Sequence, residues 1–130
     1  MKAEKIIKLL QDNKIENFLC TCINECDCEG SSIKELEQDM QDAMGDSWTH
    51  VNVGCYLYND EDIEYDEMDN TIIIGESSVD VDDYPDDEDD EFEDIGGYGH
   101  PEEFSDSANI VIYLDNLDTK LVDEIKEIVC

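Results

Sequence analysis

The chain has 130 residues, of which 38 are Asp or Glu and only 7 are basic, all of them Lys, for a formal net charge of −31. That balance excludes a conventional DNA- or RNA-binding module, which needs a basic footprint to displace phosphate counterions, and it excludes docking on anionic lipid. Apolar residues make up 40% of the chain, close enough to the roughly 45–50% of globular domains to predict one folded domain over residues 1–130.

In chain order, Ala3, Ile6, Ile7 and Leu10 follow the i, i+3, i+4, i+7 rule and predict a helix from 2 to about 12. Ile15, Phe18, Leu19, Cys22, Ile23 and Cys26 recur at helical spacing, predicting a second helix over about 15–27 stopped by Gly30, although Phe18, Cys20 and Cys22 also fit a strand. Ser32 and Glu35 form an S-x-x-E capping box ahead of the stripe Ile33, Leu36, Met40 and Met44, so a third helix spans 32–44 with Gly45 as its C-cap. The period then changes to two. Val51, Val53, Cys55 and Leu57 alternate with polar and aromatic neighbours, a strand from about 48 to 58. Ile63 and Tyr65 alternate with Asp62, Glu64 and Asp66, Asp69-Asn70 signals a turn, and Thr71–Gly75 is a β-branched run suited to a central strand. Val79 and Val81 carry the alternation into the acidic tract PDDEDDEFED, and Gly96, Gly97, Gly99 and Pro101 make the stretch to about 107 a loop. Ala108–Leu114 is a strand, and Leu117, Leu121, Val122, Ile125, Ile128 and Val129 describe a C-terminal helix. The expected fold is therefore α+β, with helices at both ends packed on a small, mostly antiparallel sheet and an acidic lobe at about 60–94. No run approaches the roughly 18 apolar residues of a membrane span, and the first residues lack a signal peptide's apolar stretch and cleavage site. The expected location is the cytoplasm, that of the host cell for a phage-encoded protein.

The charge is segregated along the chain. Residues 35–119 contain 29 acids and no Lys or Arg, and six of the lysines sit at 2, 5, 8, 14, 120 and 126. An ordinary solvated surface interleaves both signs to limit self-repulsion. The plain alternative for the tract from Asp80 to Asp94 is a solubilising segment, but that reading does less for the acids of 60–69, which fall on expected strands and turns. On one face of a strand, carboxylates such as Asp62, Glu64 and Asp66, or Asp80 and Asp82, recur about every 6.6–6.8 Å. Phosphates along a DNA strand advance about 3.4 Å, so a rigid carboxylate row can imitate a phosphate track and enter a basic channel. The candidate partner-binding residues are Asp60, Glu61, Asp62, Glu64, Asp66, Glu67, Asp80, Asp82, Asp83, Asp86, Asp87, Glu88, Asp89, Asp90 and Glu91. In size and charge segregation, over about residues 59–94, the chain resembles the DNA-mimicking inhibitors of phages and mobile elements, of anti-CRISPR and anti-restriction type. The resemblance implies a stoichiometric inhibitor whose partner is a basic nucleic-acid-binding protein, with a host defence nuclease first. It implies no direct binding of nucleic acid. Two other classes fit the acidity: an immunity or antitoxin protein that neutralises a basic toxin, and a chaperone-like binder of basic proteins or cations.

Other chemistry is thinly represented. A Ca²⁺ loop started at Asp80 would place Tyr84 at a ligand position and Pro85 where the motif needs Gly, so it fails. CTCINECDC holds four thiols as C-x-C-x₃-C-x-C, whereas structural zinc takes two C-x₂₋₄-C knuckles separated by a loop. On a helix, Cys22 and Cys26 would share the buried stripe while Cys20 and Cys28 lay off it. Core thiols are the leading reading, with a metal site that includes His50 or Cys55, or a disulfide or redox work, as the others. His50 and His100 have no recognisable nucleophile or metal partner in sequence, and Gly96-Gly97-Tyr98-Gly99 lacks the Lys of a phosphate loop. The sequence therefore predicts no enzyme, no metal and no cofactor. Tyr56, Tyr58, Tyr65, Tyr84, Phe92, Tyr98 and Phe104 interleave with the acids, as aromatic anchors within a charged rim do at interfaces.

Overall fold

The computed structural model describes residues 2–45, 50–83 and 102–129. Helix α1 (Lys2–Asp12) is followed by strands β1 (Leu19–Ile23) and β2 (Cys26–Gly30), helix α2 (Ile33–Gly45) and strand β3 (His50–Leu57). A 3₁₀ turn (Asp60–Asp62), β4 (Glu64–Asp66), β5 (Thr71–Asp83), β6 (Glu102–Tyr113) and helix α3 (Thr119–Val129) complete the order. The strands form one sheet in the order β2-β1-β6-β5-β3, with β4 also paired to β5, and every pairing is antiparallel. The expected α+β class is what forms, with helices near both ends and a third between.

The helix expected over 15–27 is a hairpin instead. Asn24 and Glu25 take φ of 49° and 65°, the left-handed pair of a two-residue turn that closes the ladder at Ile23↔Cys26. Leu19, Thr21 and Ile23 are buried, so the true period is two. Leu19 and Ile23, four apart, satisfy a helical and a strand pattern equally, and pairing of β1 with β6 decides for the strand. A second correction concerns 102–107, expected as loop. These residues open β6 and pair with β5 from Asp83↔Glu102 to Ser78↔Ser107, because a long central strand supplies backbone partners that outweigh the weak strand preference of Ser105, Asp106 and Ser107. Third, the strand around 62–66 shortens to β4, and Asp62 belongs to the 3₁₀ turn that Asn59 caps through its side chain to Glu61 N, 3.2 Å. The tract 84–101 lies outside the described residues.

The capping box forms in a shifted version. Glu35 N donates to Ser32 Oγ at 3.1 Å, while Glu35 Oε2 accepts from Ser31 N at 2.8 Å, one residue before the cap. Helix α2 lies on β2, β1 and β3, and α3 meets α1 and β4. Ile6 and Leu10 of α1, Leu36 and Met40 of α2 and Ile125 of α3 are fully buried in one core with Leu19, Ile72, Ile110 and Ile112 of the sheet. The three helices of the described residues thus cover one face. Across that face the Thr21 and Ser77 hydroxyls lie 2.6 Å apart, with the β6 carbonyls of Asn109 and Ala108 at 3.1 and 3.2 Å to receive the remaining proton. A bulge between Ile73 and Gly75 lets β5 bend where its partner on that edge changes from β4 to β3. Gly75 is required there, since a Cβ would stand 2.3 Å from the Tyr56 carbonyl oxygen. Among the described residues no helix is long and apolar enough to cross a membrane.

Candidate acidic interface

The opposite face of the sheet carries the site. Residues directly opposite on antiparallel strands share a face, and one such row runs Glu64, Ile73, Val111, Cys20, Glu29 across β4, β5, β6, β1 and β2. At about 4.8 Å per strand, the two terminal carboxylates stand some 19 Å apart with an apolar valley between them. A neighbouring row holds Tyr56, Glu76 and Asn109. The Tyr58 hydroxyl reaches Asn109 Oδ1 at 3.2 Å and Glu76 Oε2 at 3.5 Å. Desolvation pushes that phenol above its usual value, and the carboxylates of Glu76 and Asp62 push it further.

The candidate acids of 60–67 divide by role. Asp60 Oδ1 accepts from Lys2 N at 2.7 Å, placing a carboxylate on the N-terminus of α1, where the helix dipole favours it. Asp66 Oδ1 accepts from Met68 N at 2.9 Å and Asp69 N at 3.4 Å, so it holds the turn into β5, which Asn70 completes with φ 54°. Glu61, Asp62, Glu64 and Glu67 are exposed. Asp62 sits in the 3₁₀ turn, so the regular row Asp62, Glu64, Asp66 expected on one strand face does not form.

Asp80, Asp82 and Asp83 lie at the other end of β5. Asp80 is exposed, opposite Asn52 and Ser105, while Asp82 pairs in register with His50 and Glu103, and Asp83 with Glu102. Asp66 opposes Thr71, nine residues before Asp80, so the two acid groups stand about 30 Å apart along the strand. Adjacent in sequence, they are brought to opposite ends of one rigid element. Asp86, Asp87, Glu88, Asp89, Asp90 and Glu91 lie outside the described residues.

Lys2 and Lys126 stand beside the 60–67 acids, at Asp60 and Tyr65. Lys2 Nζ donates to the Val129 carbonyl at 3.3 Å, capping the end of α3, and Lys126 Nζ stands 4.8 Å from the centre of the Tyr65 ring.

The thiols are arranged differently from the helical expectation. Register puts Cys20 and Cys22 opposite Glu29 and Asp27 on the open face, and Cys26 and Cys28 opposite Ile23 and Thr21 on the helix-covered face. Cys28 is buried and Cys22 exposed, the reverse of the expected stripe. Burial, then Asp39, pushes the Cys28 thiol up to about 11, and burial, then Glu37, pushes Cys55 to about 12. Cys20 is raised by burial and by Glu29 and Asp27, and Cys22 chiefly by its hydrogen bond to Asp27. Each of the four therefore favours the thiol over the thiolate more than a free cysteine does. Among the described residues no group of three or more His, Cys, Asp or Glu is arranged to hold a metal ion.

Sequence reasoning missed Asp27, Glu29 and Glu76 as members of the acidic face. Asp27 and Glu29 were masked by the mistaken helix, although the alternation C-D-C-E was visible as a strand signal. Compared with protein-family models, with curated proteins and with solved structures, the chain finds no match.

Proposed function

We propose that this protein is a stoichiometric inhibitor that imitates nucleic acid and occupies the DNA- or RNA-binding channel of a basic enzyme, a host defence nuclease of restriction or CRISPR type being the first target, in the cytoplasm of the host cell. One observation carries the reading: exposed carboxylates are displayed on an antiparallel sheet, with Glu64 opposite Ile73 near one end of β5 and Asp80 near the other, about 23 Å apart along the strand. That span covers about seven phosphate steps of 3.4 Å. No Lys or Arg occurs from 35 to 119, and Lys2 and Lys126 border the display at its 60–66 end. Such a field steers association with a basic channel.

The test separates location from net charge. Glu61→Gln/Asp62→Asn/Glu64→Gln removes three exposed charges from the display and spares Asp60 and Asp66, which hold backbone. Asp123→Asn/Glu124→Gln/Glu127→Gln removes three from α3. The first triple should weaken inhibition of DNA cleavage by about tenfold or more, three partly shielded pairs at several tenths of a kcal/mol each, and the second by less than about twofold. Equal effects would contradict the proposal, and inhibition without competition would favour an immunity-type blocker.

A further inference from the structure

The valley on the open face deepens into a cleft of about 840 Å³. Its floor is the Cys20–Val111 pair across β1 and β6, closed at one end by Ile15 before β1 and Leu117 after β6. Tyr113, 54% exposed, stands in it with its ring uncovered. Asp27 and Glu29 of β2 line one wall, and no lysine lines any of it. An apolar floor with an aromatic ring and a carboxylate wall is complementary to one kind of group. Phosphate is repelled, a purely apolar side chain leaves the carboxylates unanswered, and a bare hard cation leaves the apolar floor uncovered, with no three carboxylates among the described residues converging to hold it. A guanidinium on an aliphatic stem satisfies all three, since it is weakly hydrated, stacks on aromatic faces and forks onto carboxylates.

We propose that this cleft is a docking site for an arginine-bearing, amphipathic segment of a basic protein partner, with arginine stems on Val111 and Tyr113 and guanidinium groups on Asp27 and Glu29. It rests on the reading of the chain as a binder of a basic protein, and it adds an anchoring point away from the 60–67 acids. The charge complementarity is local: Glu29 stands directly opposite Cys20 on the cleft floor, and after burial it and Asp27 are what raise that thiol. The cleft volume is within the roughly 300–1,000 Å³ usual for binding pockets and admits several side chains of an extended segment.

The experiment titrates the whole chain with an acetylated heptapeptide alternating leucine and arginine, and with its citrulline counterpart, which keeps shape and loses charge. Binding is read from amide shifts. The arginine peptide should shift Cys20, Val111 and Tyr113, and the citrulline peptide should not bind. Asp27→Asn/Glu29→Gln should weaken binding about tenfold, Tyr113→Ala should also weaken it, and Asp123→Asn/Glu124→Gln should change it less than about twofold. Equal weakening by both double variants, shifts gathered away from the cleft, or undiminished binding of the citrulline peptide would each overturn the assignment. No nuclease enters this titration. Its failure therefore removes the cleft as anchor and leaves the inhibitor reading to its own cleavage assay.

Discussion

Cys28 and Cys22 sit on facing strands of one hairpin, and their surroundings give opposite outcomes for the same substitution. Cys28, 2% exposed, packs beneath α2, so Cys28→Ser desolvates a hydroxyl whose acceptor, the Cys26 carbonyl, stands 3.8 Å from the sulfur, and should cost about 1–3 kcal/mol of unfolding free energy. Cys22 is exposed, and Cys22→Ser should stay within about 0.5 kcal/mol. Urea denaturation of the two variants checks both. The raised thiols also set a pH dependence. Cys28 at about 11 and Cys55 at about 12 exceed the ordinary 9.0, so the folded form keeps protons that the unfolded form releases. Their contribution is fully present below about pH 9 and is lost as pH rises toward 11 and 12. The urea midpoint should fall between pH 8 and about 10, and Cys28→Ala/Cys55→Ala should flatten that fall. A slope unchanged in the double variant would show that other groups set it.

At the scale of elements, the β1–β2 turn offers the sharpest test. Glu25 holds φ 65°, a conformation that costs an ordinary L-residue about 1–2 kcal/mol and costs Gly only its extra chain entropy of about 0.5–1. Glu25→Gly should therefore raise stability by about 0.5–1 kcal/mol, seen as a higher thermal midpoint; a lower one would mean that the Glu25 side chain contributes more than its backbone strain removes. This turn also explains what the sequence made legible. The helices of 2–12 and 32–44 were readable because stripe, cap and breaker agree, and β3 was readable because eight residues alternate without interruption. The hairpin was not, because Asn24-Glu25 is a weaker turn signal than Asn-Gly and because Leu19 and Ile23 fit both periods. The first half of β6 was not, because its partner, not its own propensity, makes it a strand. Asp60, Glu61, Asp62, Glu64, Glu67 and Asp80 were each identifiable as exposed. Their separation along β5 was not, because it depends on how β5 pairs on either side of its bulge, which only the register shows.

For the whole molecule, a net charge of −31 on 130 residues makes self-repulsion the main long-range term against the folded state. Screening should relieve it. Raising NaCl from about 0.15 M, where the Debye length is about 8 Å, to about 1 M, where it is about 3 Å, should raise the thermal midpoint. A midpoint flat in salt would mean that the acids are already compensated, and the display would then be weaker than the sequence suggests. The same charge, arranged on the open face and the ends of β5, is what the inhibitor reading uses, and the direct test is competition. Purified restriction and guide-loaded nucleases carrying fluorescent duplex DNA are titrated with the chain, and polarisation reports the DNA that stays bound. The account predicts that at least one enzyme releases its DNA at one chain per channel, with the apparent Kd for DNA rising in proportion to the chain added. A ternary complex in which DNA binds at undiminished affinity, or a panel in which no enzyme binds the chain, would contradict it.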